Sequence, residues 1–295
     1  MRHLTKIDDL SVDEIDEILA RAKAHIKSPP SLLLASKSSK LAGLLFLETS
    51  LRTRVGYTAA TARLGWSNVS ITERRSSNLD VAEALEDTIR IASGMVDVLV
   101  ARLPVPSDSI LPALAAPLIN AGDRGPYAEH PTQALIDLFA IQNFRGAIDG
   151  LHIAVCGDLR MRAVRSLLNL FKRYVPAKIS AVSVPPLIEA GMHANVPPGT
   201  QRIETRNLQQ LHDVDVLYVA GIPHHAIPED VRDTLRVSSE AIAKMPRNAI
   251  ILSPMPIIDE MTWNTRSDSR ARFFQQSDCG VAVRMAVLEH LKQIN

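Results

Sequence analysis

The chain lacks most of what would tie it to a special environment. Its two cysteines, Cys156 and Cys279, among 295 residues are too few for a disulfide framework, which points to a reducing compartment. It lacks an excess of charge: 33 Lys+Arg stand against 32 Asp+Glu, a formal charge of +1, so nothing in the sum calls for nucleic acid or an anionic membrane as partner. No apolar run reaches the roughly 18 residues of a membrane span. Met1 to Leu10 has no apolar segment of the kind a secretory signal carries. Internal repeats and low-complexity stretches are missing, as are His-x-x-x-His and cysteine clusters that would suggest a metal. The expectation is a soluble cytoplasmic protein without metal or organic cofactor.

What is present is ordinary in amount and uneven in placement. Apolar residues make up 46% and charged residues 22%, a globular composition, and the length suits two domains. Arginines heavily outnumber lysines and fall in short clusters, Arg52/Arg54, Arg74/Arg75 and Arg160/Arg162/Arg165. The planar guanidinium suits phosphate and carboxylate, so a neutral sum can conceal local anion sites. The plain alternative for any one cluster is solvated surface arginine.

Ser11-Val-Asp-Glu14 is a capping-box pattern, and Ile15, Ile18, Leu19 and Ala22 continue it at helical spacing until Ser28-Pro-Pro. Leu41 to Leu47 reads as a buried strand, followed by the turn Glu48-Thr-Ser50 and a helix from Arg52 to Leu64. The alternation recurs with a helix at Val81 to Ser93, strands at Val96 to Ala101 and Pro117 to Asn120, and a helix at Thr132 to Asn143. After Gly146-Ala-Ile-Asp-Gly150 it restarts: strand Leu151 to Cys156, helix Arg162 to Arg173, then strands Lys178 to Val184, Val214 to Ala220 and Ala249 to Ser253. A helix from Val281 to Ile294 closes the chain, and Pro104-Val-Pro106 and Pro197-Pro-Gly199 read as loops. Strands alternating with helices predict an α/β protein of two domains, each a parallel sheet flanked by helices. The division falls at 1–132 and 133–280, with 281–295 packing back on the first domain.

Open α/β sheets bind ligands beyond the carboxyl ends of their strands. After the first strand stand Ser50, Leu51, Arg52, Thr53 and Arg54, two hydroxyls and guanidiniums at a helix start that could surround a phosphate. Arg102 follows the next strand, and His130-Pro-Thr-Gln133 opens a helix. Gly157-Asp158 precedes Arg162, and Pro254-Met255-Pro256 removes N–H donors and leaves outward carbonyls. Each alone is weak; together they put a phosphate-type site, a His and Gln able to polarise a carbonyl, and a separate Arg along strand ends.

These residues identify a resemblance. Ser50-x-Arg52-Thr53-Arg54, His130-Pro131-Thr132-Gln133 with Asp137, Gly157-Asp158-Leu159 and Pro254-x-Pro256, running on to Gly280-Val-Ala-Val-Arg284-Met, make the chain similar nearly end to end to the aspartate/ornithine carbamoyltransferase family, most of all its aspartate branch. The resemblance implies that carbamoyl phosphate binds between two α/β domains and that an amine attacks the carbamoyl carbon to release phosphate. Residues 1–132 become the carbamoyl-phosphate domain and 133–280 the acceptor domain. It further implies that Ser50, Leu51 (through its backbone), Arg52, Thr53 and Arg102 hold the phosphate. Thr53, Arg102 and His130 polarise the carbamoyl oxygen, and Gln133 with the Pro254–Met255 carbonyl region holds the amino group. Donors aimed at an oxygen that gains charge in the transition state lower the barrier. Arg162 matches the arginine for the acceptor's α-carboxylate. The family also implies a homotrimer, or assembly with a related chain, in which a neighbouring subunit lends a loop serine, here Ser77.

The pattern is also broken. Leu51 stands where the phosphate turn usually has Thr, and one residue is missing before Arg162. The loop's Lys-Gly-Glu becomes Val81-Ala82-Glu83, and loss of such a charge typically costs about 10² to 10³ in rate. The second domain's Arg-x-Gln becomes Gly221-Ile222-Pro223, leaving a dicarboxylate poorly paired. His-Pro-Leu-Pro becomes Ser253-Pro-Met-Pro256, and a following Arg is Ile257. Three readings follow: a carbamoyltransferase acting on aspartate or a related amino acid, with Arg162 and His224 or His225 reading the acceptor; a weak or inactive homologue serving as a structural or regulatory subunit; and another transferase or lyase using the same phosphate pocket. The plain alternatives are an Arg162 that pairs with Asp158, an exposed His224-His225 loop, and a Cys156 that only fills core.

Overall fold

The computed structural model describes residues 1–28, 39–74, 82–188 and 200–294. They form two compact units: Met1–Leu135 with Cys279–Asn295, and Ile136–Asp278.

In the first unit, α1 (Val12–Lys27) begins on the expected capping box, with Glu14 N–H donating to Ser11 Oγ at 3.2 Å and Ser11 N–H to the Glu14 carboxylate at 2.8 Å. Its Ile15, Ile18, Leu19 and Ala22 are buried. Then come β1 (Leu41–Phe46), α2 (Leu51–Arg63), β2 (Ser67–Ile71), α3 (Leu85–Gly94), β3 (Val98–Arg102), β4 (Leu118–Asn120) and α4 (Pro131–Arg145). The strands are parallel in the order β2-β1-β3-β4. Leu45, Leu99, Leu118 and Ile89 pack in one cluster beneath them.

The second unit runs β5 (His152–Cys156), α5 (Arg162–Phe171), β6 (Lys178–Val182), β7 (Gln201–Thr205), β8 (Val216–Val219), α6 (Glu229–Leu235), α7 (Ser239–Ile242), β9 (Ile250–Leu252), α8 (Trp263–Arg266) and α9 (Phe273–Ile294). Its five strands are parallel in the order β7-β6-β5-β8-β9. Every residue of β5, β8 and β9 is buried, as continuous apolar strands covered on both faces must be. The unit boundary falls within α4 and within α9. The expected α/β architecture of two parallel sheets flanked by helices is what the chain forms.

The departures have physical reasons. The sequence reading missed β2 and β7, both at sheet edges and mostly exposed, so neither alternates nor runs apolar. The closing helix begins at Phe273 rather than Val281. Gly280 reads as a break, but Phe273 and Gln276 are buried and anchor an earlier start. The third helix begins at Leu85 rather than Val81, because Glu83 is occupied ahead of it: its N–H donates to Arg74 O and its carboxylate accepts the Thr88 hydroxyl at 2.7 Å. Ser77, Val81, Arg75 and Pro197-Pro-Gly199 lie outside the described residues.

Both sheets reverse their winding once. In the first, β1 leads outward to β2, while β3 and β4 build the other way, so the reversal lies between β1 and β3, where Phe46 is in register with Arg102. In the second it lies between β5 and β8, where Cys156 is in register with Val219. Crevices at such reversals are where doubly wound sheets hold ligands.

Two buried histidines couple this core to pH. Burial lowers the His152 pKa below its ordinary 6.5, with Lys178 adding to the effect and Asp213 opposing it. Burial does the same for His290, against the opposing pull of Glu14 and Glu17. A depressed histidine pKa means that the unfolded chain binds protons more readily, so this contribution is intact above pH 6.5 and declines as pH falls through it. The urea midpoint is therefore expected to drop between pH 7.5 and 5.5, and to drop less in a His290→Gln variant. Equal pH dependence in the two proteins would refute the role of His290.

Candidate active site

The first unit's reversal point is built around the start of α2. The chain leaves β1 at Phe46, Leu47 N–H donates to Arg102 O at 3.1 Å, and Ser50 forms the N-cap of α2 with extended backbone (φ −158°). Its hydroxyl makes no capping bond, so the first-turn N–H groups, which have no carbonyl within the helix, are not served by it. Thr53 is buried, and Leu51, Arg52 and Arg54 are exposed. Partial desolvation lowers the Arg52 pKa from its ordinary value without removing its charge.

Arg102, the last residue of β3, donates to Ala121 O at 3.3 Å and lies 3.8 Å from the Glu48 carboxylate. Glu48 also takes Arg124, a pairing that the sequence did not reveal. Behind α2, Arg284 of α9 is buried, with its guanidinium 5.5 Å from the centre of the Tyr57 ring. A Cβ at Gly56 would lie 2.5 Å from that guanidinium, which accounts for glycine in a helix interior. Burial lowers the Arg284 pKa; Tyr57 opposes this and the charge of Arg52 adds to it. Burial pushes the Tyr57 hydroxyl up to about 12.

The loop ahead of α4 is fastened by buried polar groups. Asn120 donates to Thr5 O at 2.7 Å, and Asp123 accepts Ser107 N–H and Glu129 N–H, both at 2.8 Å. Glu129 accepts Ile7 N–H at 3.1 Å. This sets His130 at the head of α4, nearly buried, with Nδ1 3.4 Å from Thr132 Oγ1 and its carbonyl accepting Gln133 N–H at 2.9 Å. Ser50, Arg52, Thr53, Arg102, His130 and Gln133 all belong to this unit, at or just beyond carboxyl ends of its strands.

In the second unit the reversal point depends on a glycine. Gly157 has φ +112°, and a Cβ there would sit 2.1 Å from the Ala220 carbonyl oxygen. Asp158 follows, buried, and takes Arg160 in two contacts of 2.9 Å. Arg162 occupies the first position of α5, half-buried, after the N-cap Met161. The Cys156 thiol is pushed up to about 12 by burial and donates to Leu235 O, which makes it core.

Across the reversal point, Gly221-Ile222-Pro223 is stitched from behind. Arg232 donates to Ile222 O at 2.9 Å and pairs with Asp259, while the Glu260 carboxylate accepts Ile222 N–H at 2.9 Å and Ile258 N–H at 2.7 Å. Asp259 is held below the usual carboxylate range by Arg232. His224 and His225 are exposed, and His225 is left-handed (φ 63°).

Pro254 and Met255 follow β9, half-buried, with Met255 at φ 59°. A non-glycine residue there costs about 1–3 kcal/mol and persists only where its surroundings hold it. Ser253 Oγ accepts Met255 N–H at 3.1 Å, and Gln276 Oε1 accepts Ser253 N–H at 2.9 Å. Gln276 Nε2 donates to Asp137 at 2.6 Å, and so does the Tyr218 hydroxyl at 2.8 Å. Burial and Asp137 together hold the proton on Tyr218.

Sequence reasoning found the strand-end residues and missed their supports, Glu48, Arg124, Arg232, Glu260, Tyr218 and Gln276. Two other buried polar groups behind these residues, Asp137 and Arg284, did stand in the quoted motifs. The first unit offers backbone donors, hydroxyls and guanidiniums, a set suited to an oxyanion. Among the described residues no group of three or more His, Cys, Asp or Glu is placed to hold a metal, and no helix is long and apolar enough to cross a membrane.

Comparison with known proteins matches the chain to two family models. The family model described as "Aspartate/ornithine carbamoyltransferase, carbamoyl-P binding domain" matches residues 2–143, and that described as the "Asp/Orn binding domain" matches 149–291. The aspartate carbamoyltransferase catalytic subunit of Finegoldia magna is 33% identical over 299 residues, covering 97% of this chain and 96% of the relative. That of Archaeoglobus fulgidus is 34% identical over 304 residues, covering 99% of each. Among solved structures, the catalytic subunit of M. jannaschii aspartate transcarbamoylase superposes with TM-score 0.86 at 33% identity, covering 100% of this chain and 99% of its own. Aspartate transcarbamoylase of Trypanosoma cruzi, in complex with carbamoyl phosphate and aspartate, superposes with TM-score 0.86 at 28% identity, covering 97% and 94%.

The tightest geometric demand among these observations is at Gly157. Alanine there meets a backbone oxygen and not a yielding side chain, so Gly157→Ala is expected to cost about 2–4 kcal/mol. Denaturant titration would read this as a lowered midpoint; a wild-type midpoint would show that β5 and β8 do not approach so closely.

Proposed function

The chain belongs to the aspartate/ornithine carbamoyltransferase family, and from that premise we propose that it transfers the carbamoyl group of carbamoyl phosphate to aspartate, releasing phosphate. What supports the proposal is that Ser50, Arg52 and Thr53 follow β1 while Arg102 ends the adjacent strand β3, at the reversal point and at a helix start whose N-cap serine does not cap. Carbamoyl phosphate is a small dianion with a carbonyl next to its bridging oxygen. The phosphate takes the α2 amides, including that of Leu51, with the Ser50 and Thr53 hydroxyls and the guanidiniums of Arg52 and Arg102. His130, Thr53 and Arg102 donate to the carbamoyl oxygen, and Gln133 binds the amino group. In the second unit, the carbonyls of Pro254 and Met255 accept from that amino group and Arg162 takes the acceptor α-carboxylate.

The chemistry then needs only positioning and charge. The aspartate nitrogen attacks the carbamoyl carbon, the carbonyl oxygen gains negative charge, and the bond to the bridging oxygen breaks as phosphate leaves and the nitrogen gives up a proton. Preorganised donors at the oxygen and cations at the phosphate favour that charge distribution over the ground state. By family implication the step belongs to pyrimidine biosynthesis.

The acceptor half is the remodelled part of this reading. Gly221 and Pro223 supply no side-chain donor, and Arg232 is committed to Ile222 O, Pro223 O and Asp259. Either His224 or His225, exposed on that loop, then reads the acceptor beside Arg162. Residues 1–132 with 281–295 form the carbamoyl-phosphate domain and 133–280 the acceptor domain. The working unit in this reading is a homotrimer or an assembly with a related chain. The same missing donors favour a second reading, a structural or regulatory homologue with little activity.

Calorimetric titration with carbamoyl phosphate and with the bisubstrate mimic phosphonoacetyl-aspartate decides among these. Binding of both, the mimic more tightly, is expected. Carbamoyl phosphate without the mimic means a different acceptor, and neither means the non-catalytic reading. Arg52→Ala is expected to abolish carbamoyl phosphate binding; unchanged affinity would remove the phosphate assignment.

A further inference from the structure

We propose that Asp137, Gln276 and Ser253 form a positioning relay that sets the Met255 turn and thereby the selection of a carbamoyl group over bare phosphate. The inference rests on the reading that the Pro254–Met255 carbonyls accept from the carbamoyl amino group. Its support lies wholly within the second unit. Met255 adopts a left-handed backbone that its side chain does not favour, so the turn must be held from outside. The hold is a chain of hydrogen bonds that descends into the core. Ser253 Oγ takes the Met255 N–H, Gln276 Oε1 takes the Ser253 N–H, and Asp137 takes the Gln276 amide protons and the Tyr218 hydroxyl.

Each link is buried: Asp137 is 0% exposed, Gln276 1% and Ser253 3%. A carboxylate in that position is a poor choice for stability alone, since apolar packing would avoid its desolvation. It does supply direction. The Asp137 carboxylate accepts from both Gln276 Nε2 and the Tyr218 hydroxyl, so Gln276 presents its NH₂ inward and its carbonyl outward to Ser253, an orientation that a neutral amide in place of Asp137 would not enforce. The amide orientation in turn fixes the Ser253 backbone at the end of β9. Ser253 is also where the family pattern has histidine, so the hydroxyl link belongs to this chain's own version of the turn.

The decisive variant is Gln276→Glu, which sets a second carboxylate against Asp137, together with its complement Asp137→Asn/Gln276→Glu, which restores one acceptor facing one donor. Ser253→Ala removes only the last link and leaves the buried pair in place. Carbamoyl phosphate and inorganic phosphate are titrated into each protein, with melting temperatures alongside, and kcat and KM are measured with aspartate. Loss of roughly tenfold to a hundredfold in kcat, the scale for a misplaced reacting group, is expected for Gln276→Glu and Ser253→Ala. The preference for carbamoyl phosphate over phosphate falls with it, phosphate affinity stays level, and the double variant recovers most of the loss. Wild-type preference and kcat in a folded Ser253→Ala protein, or a double variant no better than Gln276→Glu, would overturn the relay. A wild-type chain that does not distinguish carbamoyl phosphate from phosphate would overturn the carbamoyl reading, and the relay with it.

Discussion

A parallel sheet whose winding reverses leaves two neighbouring strand ends with no crossover between them, and each unit of this chain places its polar residues at such an opening. In the first unit the opening lies between β1 and β3, and in the second between β5 and β8. Strand ends present backbone that must find partners, and a helix start adds N–H groups with none inside the helix. The constraint therefore comes before any particular ligand. Gly157 follows from it directly, since the ends of β5 and β8 approach so closely that a Cβ would strike the Ala220 carbonyl.

Among the described residues three serines stand at helix N-caps, and they behave differently. Ser11 closes a reciprocal box with Glu14, and Ser238 accepts Ala241 N–H. Ser50 has the same side chain at the same type of position and makes no capping bond. A cap of this kind is worth about 1 kcal/mol. Forgoing it leaves the first-turn N–H groups of α2, which also carries Arg52, without an acceptor from the cap side chain. Arg284, buried behind α2, strengthens the positive field there at the cost of desolvating a guanidinium.

Most of the architecture was legible because the central strands are apolar throughout and the caps and glycines punctuate them. What was not legible shares one property, namely that it is decided by neighbours distant in sequence. The edge strands β2 and β7 carry mixed, exposed residues and exist through pairing with β1 and β6. The early start of α9 depends on Phe273 and Gln276 finding burial that periodicity around Gly280 does not announce. The strand-end residues could be read from motifs, since they stand in short local patterns. Their supports could not, because Glu48 and Arg124, or Ile222 and Glu260, meet only after folding.

Neutral composition concealed how the folded chain uses arginine, which in both units is engaged by carboxylates and carbonyls of the same unit. In the first, Arg2 is engaged by Glu14 and Arg124 by Glu48. In the second, Arg160 is engaged by Asp158, Arg232 by Asp259 and two loop carbonyls, and Arg270 by Asp268. A guanidinium so engaged cannot reorient toward a ligand without leaving a buried carboxylate or carbonyl unsatisfied, and that loss is of the same order as the gain. Gly221-Ile222-Pro223 is held in shape in this way, by an Arg232 whose guanidinium donates to the carbonyls of Ile222 and Pro223.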